Sequence, residues 1–168
     1  MKIAIIGFAK RGLELDRASY ERMVGKMARI VKEYPKDVVV YSGGSIWCDH
    51  VAVTLFLGGV IRNLVLHLPD GWNPITKKFA GTTPSGINLN KKHELFSAIL
   101  GRSTLDEIDV ALAQGAIYTS SPSSPERNTL IARDADHLYA FVVKGERMTP
   151  GTKDTWTKSR AKKTKIRV

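Results

Sequence analysis

Two short stretches of this chain put glycine, hydroxyl and carboxylate side by side. The first is Ser42-Gly43-Gly44-Ser45, with Asp49 and His50 following within two helical turns. The second is Pro150-Gly151-Thr152-Lys153-Asp154-Thr155. Each reads as a strand or loop entering a helix, with glycine at the junction. Such a junction leaves backbone N–H groups unpaired beside the positive end of a helix dipole, which suits an anion and above all a phosphate. Glycine also lets a ligand approach the backbone closely. Asp49 and Asp154 are the candidate catalytic carboxylates, able to accept from a sugar hydroxyl or to direct a water. Each also has a plainer role open to it, as a cap or dipole partner at its helix start. Arg127 and Asn128 stand at another helix start between the two junctions. Arginine grips phosphate or carboxylate through two parallel hydrogen bonds; its plainer alternative is a surface ion pair with Glu126. Gly7 ends the first strand, where an open parallel sheet binds ligands. Lys10 and Arg11 follow it, as phosphate contacts or as ordinary surface charges. The candidate ligand-binding set is therefore Gly7, Arg11, Ser42, Gly43, Gly44, Arg127, Asn128, Gly151, Thr152 and Thr155.

Several familiar chemistries have no residues to carry them. The run Gly7-Phe8-Ala9-Lys10-Arg11-Gly12 is not the dinucleotide fingerprint, and Leu13 and Glu14 replace the Lys and Ser/Thr of a Walker loop. No pair of residues has metal-ligand spacing, and the nucleophile elbow G-x-S-x-G is missing. No metal or cofactor is expected. Among the other histidines, His67 reads as structural and His137 as a surface residue. His93 follows a long irregular stretch and could reach the site from it.

The elements that must position these residues alternate. Apart from Lys2, residues 2–6 are apolar, as a strand covered on both faces would be. Tyr20, Met23, Val24, Met27, Ile30 and Val31 recur at helical spacing, and Pro35 stops that helix. A second strand over 38–41 leads to Ser42-Gly43-Gly44, then to a helix over about 46–57 and a third strand over 60–68. Residues 69–90 are rich in Gly, Pro, Thr, Asn and Lys without a period, and read as a lid or insertion loop. Helices near 91–100 and 104–114, a short strand near 116–119, a helix over 126–133 and a strand over 138–143 follow. Pro150 opens a last helix through about Lys158, and 165–168 is a final strand. This order predicts an α/β, Rossmann-like three-layer sandwich around a mostly parallel sheet, in a single domain spanning 1–168.

The chain has 168 residues, 43% of them hydrophobic and 25% charged, which are ordinary values for a globular domain. It lacks an apolar run long enough to span a membrane, and its single cysteine, Cys48, rules out an internal disulfide. The cytoplasm is the expected compartment. A net charge of +10 favours anionic partners. Much of the excess falls in Lys158, Arg160, Lys162, Lys163, Lys165 and Arg167, a basic tail that suggests nucleic acid as a second class of partner. Along the sequence, however, no aromatic residue interleaves with those lysines.

The order strand, Ser42-Gly43-Gly44, Ile46-Trp47-Cys48-Asp49-His50, then Glu126 through Phe141, then Pro150 through Thr155, resembles the SLOG superfamily. That group includes the cytokinin-activating "Lonely guy" phosphoribohydrolases, the lysine-decarboxylase-like proteins, the Rossmann domain of DNA-processing protein A and nucleotide-sensing domains of conflict systems. The resemblance covers most of the chain, with 69–90 as an insertion. It implies a nucleotide-like small molecule as ligand, hydrolysis of an N-glycosidic bond as the natural reaction, and a homodimer. In the phosphoribohydrolase branch a Glu-Arg-Lys helix precedes Pro-Gly-Gly-x-Gly-Thr-x-x-Glu. Here Glu126 and Arg127 match, with Asn128 for the lysine. Pro150, Gly151 and Thr152 match in part, and Thr155 stands where the catalytic glutamate would be. The resemblance therefore implies nucleotide binding more firmly than cleavage. Alternatives are a non-catalytic sensor of a signalling nucleotide and a module for single-stranded nucleic acid.

Overall fold

The computed structural model describes residues 1–9 and 15–168; the candidates Lys10 and Arg11 lie outside the described residues. Six strands form one sheet in the order β6-β3-β2-β1-β7-β8. They are β1 (Lys2–Gly7), β2 (Val39–Ser42), β3 (Asn63–Leu68), β6 (Ile117–Ser120), β7 (His137–Val142) and β8 (Lys162–Arg167). Every pairing in this sheet is parallel. The helices are α1 (Arg17–Val31), α2 (His50–Leu57), α3 (Pro84–Leu100), α4 (Thr104–Ala113), α5 (Ser124–Asp134) and α6 (Pro150–Lys158). The fold is thus α/β, with helices on both faces of a parallel sheet.

Alternation along the strands divides the interior in two. Ile3, Ile5, Val40, Leu64, Leu66, Leu68, Tyr139 and Phe141 face the larger core, under α1, α2, α3 and α4. Ala4, Ile6, Tyr41, Leu138 and Ala140 face a smaller one, where Ile131 of α5 and the partly buried Trp156 of α6 close over them. The chain runs outward from β1 through β2 and β3 to β6, and α5 then carries it back to β7 on the other side of β1. The order reverses between β1 and β7. A crevice opens beyond the carboxyl ends of the strands at such a point, and ligands of open α/β sheets bind there.

Three elements depart from the sequence reading. The stretch 69–90 is not loop throughout: β4 (Trp72–Asn73) and β5 (Lys78–Phe79) pair as an antiparallel hairpin, and α3 starts at Pro84 rather than near 91. Thr83 caps α3 by accepting from the Gly86 amide, and proline takes the first turn, where its missing N–H costs nothing. Asp70 holds this entry by accepting from the amides of Thr82 and Thr83 and the Thr82 hydroxyl. Helix α2 begins at His50, not near Ile46, after a turn in which Trp47 adopts φ 56°. The lysine-rich end is an edge strand beside β7, not a tail.

Candidate functional site

A cavity of about 330 Å³ lies at the reversal point between β1 and β7. Its floor is Ile6 and Gly7 of β1, and its walls come from Ser45 and Asp49, the start of α3, and the first turns of α5 and α6. Of the residues singled out from the sequence, Gly7, Asp49, Arg127, Asn128, Gly151, Thr152 and Thr155 line it. Ser42, Gly43, Gly44 and Asp154 do not. Side chains not anticipated from the sequence are Ser85, Asn88 and Lys92 of α3, Ser124 of α5, and Thr149 before α6. Their signal was the three-to-four spacing of Ser85, Asn88 and Lys92 behind a Thr-Pro helix start.

The two glycine junctions are built differently. At the first, the protein fills the space itself. Arg127 Nη1 donates to the Gly43 carbonyl at 2.6 Å and lies 3.4 Å from Asp49 Oδ2. A methyl group on Gly43 would overlap both the guanidinium and the Asp49 carboxylate, so glycine is needed there for this pair to close. The Ser45 amide donates to Asp49 Oδ2 at 3.3 Å. Ser42, fully buried, donates to the Asp49 carbonyl at 2.8 Å. Gly44 takes φ 66°, and its carbonyl faces His93 Nε2 at 3.0 Å. His93 is also hydrogen-bonded to the Thr104 hydroxyl and does not line the cavity; it braces the junction from behind. Burial pushes the His93 pKa down to about 3, so the ring is neutral.

The Asp49–Arg127 pair is nearly sealed, with side chains 10% and 11% exposed. Burial pushes the Asp49 carboxyl up, with the Arg127 charge and the Ser45 and Gly43 amides opposing it. Burial likewise lowers Arg127, and Asp49 opposes that shift. Arg127 Nε has no hydrogen-bond partner among the described residues. Although Asp49 precedes α2, its side chain makes no capping bond, so the simple cap role does not describe it.

The second junction is open. Thr149 precedes α6 without a side-chain bond to the helix amides, its hydroxyl meeting that of Thr152 at 2.8 Å instead. Pro150 has no N–H, and the Gly151 and Thr152 amides belong to the unpaired first turn. A methyl group on Gly151 would meet nothing within 4 Å. Asn128 holds this turn in place, donating to the Gly151 carbonyl at 3.4 Å and to Asp154 at 3.2 Å. Asp154 does not line the cavity and is bonded to Lys158 at 2.9 Å. Burial would raise its pKa, but the bonds from Lys158 and Asn128 prevail and lower it. Asp49 is therefore the one carboxylate lining the cavity among the described residues.

The remaining histidines serve the framework. His67 bridges Thr119 and Asp134. His137 is buried rather than superficial, bonded to Tyr34 and Thr164 and stacked on Tyr139, because β7 is covered on both faces. His50 is buried against Glu107 of α4. Among the described residues no group of three or more His, Cys, Asp and Glu could hold a metal ion, and no helix is long and apolar enough to cross a membrane.

The chain is 34% identical over 167 residues to uncharacterized protein R261 of Acanthamoeba polyphaga mimivirus, covering 94% of this chain and 90% of that one. It belongs to the family of that viral protein. No family model matches. Among solved structures, DNA processing protein A from Streptococcus pneumoniae aligns over 97% of the chain at 13% identity and a TM-score of 0.49. The chain spans 58% of the length of that structure.

Proposed function

We propose that the chain binds a nucleotide or nucleotide derivative in the cavity between β1 and β7. The observation that carries this reading is the open α6 N-terminus facing Arg127 and Asp49 across one cavity at the reversal point of the sheet. The phosphate sits on the Gly151 and Thr152 amides, where the helix dipole favours negative charge. Arg127 adds the positive charge, and Ser45, Ser85, Ser124 and Thr149 supply hydroxyls around it. Asp49 accepts from the sugar hydroxyls. About 330 Å³ is at the small end of ligand sites and suits one nucleotide-sized molecule. The resemblance to the SLOG superfamily supports the same assignment.

Binding without turnover is the better-supported form of the reading. Thr155 occupies the position of the glutamate in the phosphoribohydrolase motif, and its hydroxyl is within 3.3 Å of the Gly151 carbonyl. Asp154 does not line the cavity. Cleavage of an N-glycosidic bond would fall to Asp49 alone, stabilising an oxocarbenium-like centre or directing a water. Isothermal titration against mono-, di- and cyclic nucleotides and ADP-ribose tests binding, and heat absent across the whole panel defeats the proposal. Recovered ligand decides between the two forms. Intact nucleotide means a sensor or sequestering protein; free base with ribose phosphate means a hydrolase.

A further inference from the structure

At the opposite end of the α5–α6 pair lies a second concavity, and it shares no residue with the nucleotide cavity. It is lined by Thr129, Arg133, Asp136, Lys158, Arg160 and Lys162, with small alanines between them. Basic residues at helix C-termini have an ordinary function, which is to offset the negative end of the dipole. Arg133 and Lys158 sit in the last turns of α5 and α6 and have that role. They are also engaged, Arg133 with Asp134 and Lys158 with Asp154. Arg160 and Lys162 lie beyond both helices; Lys162, paired with His137 in β8, contributes its backbone to the groove and directs its side chain to the sheet face opposite Lys163 and Lys165. Among the described residues their side chains make no hydrogen bond or ion pair, and both are exposed. The one acid in the lining, Asp136, accepts from the Lys2 amide at 2.8 Å.

Next to this groove, β8 is the outer strand of the sheet. Lys163 and Lys165, two apart, point to the same face of β8. There they meet Trp156 of α6, with Nζ atoms 5.7 and 5.4 Å from the ring centroid. The indole is half-buried. The sequence shows no aromatic among these lysines, but folding inserts one from the preceding helix. Surplus cations beside a partly exposed aromatic ring are what a single strand of nucleic acid uses: phosphates track the charges and a base stacks on the ring.

We infer that the α6–β8 face formed by Trp156, Lys163 and Lys165, with Arg160 in the adjoining groove, binds single-stranded nucleic acid. The concave form favours a strand over an anionic bilayer, since a flat surface reaches the rim but not the floor. No large aliphatic side chain lines the groove for membrane burial. The site is independent of the nucleotide cavity and stands or falls apart from it.

Fluorescence anisotropy with labelled single-stranded oligonucleotides across a salt series tests this. The variants are Lys163→Glu/Lys165→Glu on the face and Lys36→Glu/Lys91→Glu, an equal charge change at exposed positions elsewhere. The face variant should bind more than tenfold more weakly, and its log–log salt slope should fall by about 0.7 per lost phosphate contact. The control should bind nearly as wild type. Equal losses in both would mean general charge attraction and overturn the site. Trp156→Leu should weaken binding by about tenfold, the size of one base–aromatic stack, while Trp156→Phe retains most of it. Duplex of the same length binding as tightly, or anionic vesicles or polyglutamate competing equally, would also overturn the assignment. Lys163→Glu/Lys165→Glu should leave the nucleotide titration unchanged, which separates the inference from the nucleotide proposal.

Discussion

The two glycine junctions look alike in sequence and have opposite structural fates. After β2, glycine makes room for the protein's own guanidinium, and Arg127, Gly43 and Asp49 close on one another. Before α6, glycine faces empty space. The difference lies in the next few residues of the chain. Beyond Gly44 the backbone makes a turn with Trp47 at positive φ before α2 starts, so its amides are not the first turn of a helix. Beyond Thr149 the helix starts at once. Glycine permits close approach, and the surrounding chain decides whether the occupant is internal or a ligand.

The largest effect should come from breaking the closed junction. Arg127→Ala leaves the Asp49 carboxylate buried without its cation, a change that typically costs about 3–5 kcal/mol. Chemical denaturation should show that loss together with loss of nucleotide binding. Gly43→Ala forces the guanidinium aside and should cost about 1–3 kcal/mol, as overpacking does. If it is neutral, the pair is not as tightly closed as the geometry indicates.

Acid tests the brace behind the same junction. The folded-state pKa of His93 is about 3 against an ordinary 6.5, so between those values the unfolded chain binds more protons than the folded one. The stability His93 contributes is complete above pH 6.5 and is lost as pH falls towards 3, at up to about 1.4 kcal/mol per pH unit. Asp49 acts with the opposite sign. Its raised pKa makes the folded state hold the proton more tightly, so its contribution declines as pH rises through the window above 3.8. Denaturation midpoints across pH should show a shallower acid limb in His93→Gln.

The open junction should respond in reverse. Gly151→Ala places a methyl in free space on a helix and should stabilise the fold by about 0.5–1 kcal/mol, yet weaken nucleotide binding because that space belongs to the ligand. Unchanged affinity would move the phosphate off α6. The smallest effect is expected from Asp154→Asn, within about 0.5 kcal/mol of wild type in stability, with nucleotide affinity unaltered.

Much of the frame is legible in the sequence because period and punctuation agree. Residues 2–6 are a strand, buried from Ile3 on, Pro35 follows the first helix, and the Pro150 helix ends at Lys158 as its composition indicates. The start of α3 is not legible in the same way. Pro84, Gly86 and two asparagines suppress helical propensity, and the helix forms there because Asp70 and the Thr83 cap hold its first turn. A methyl on Gly86 would collide with Asp70, so the residue that reads as a breaker is one the packing requires. Of the residues picked out by type, Arg127, Asn128, Gly151 and Thr152 line the cavity. Residue type could not show that Asp49 faces the cavity and Asp154 does not, since both precede or open a helix and only helix phase and partners separate them.

The unequal size of the two cores bears on how the molecule breathes. Helices α5 and α6 rest on the smaller apolar cluster, while the other face is held by a much larger one. A layer with less buried surface opens at lower free energy than the global unfolding step. Both proposed ligands contact that layer, one at each end. Each would therefore slow amide exchange in α5 and α6 more than in β1 or α2, by an amount set by its concentration relative to its Kd. The thinly anchored layer then reports occupancy at either end as a change in its rate of opening.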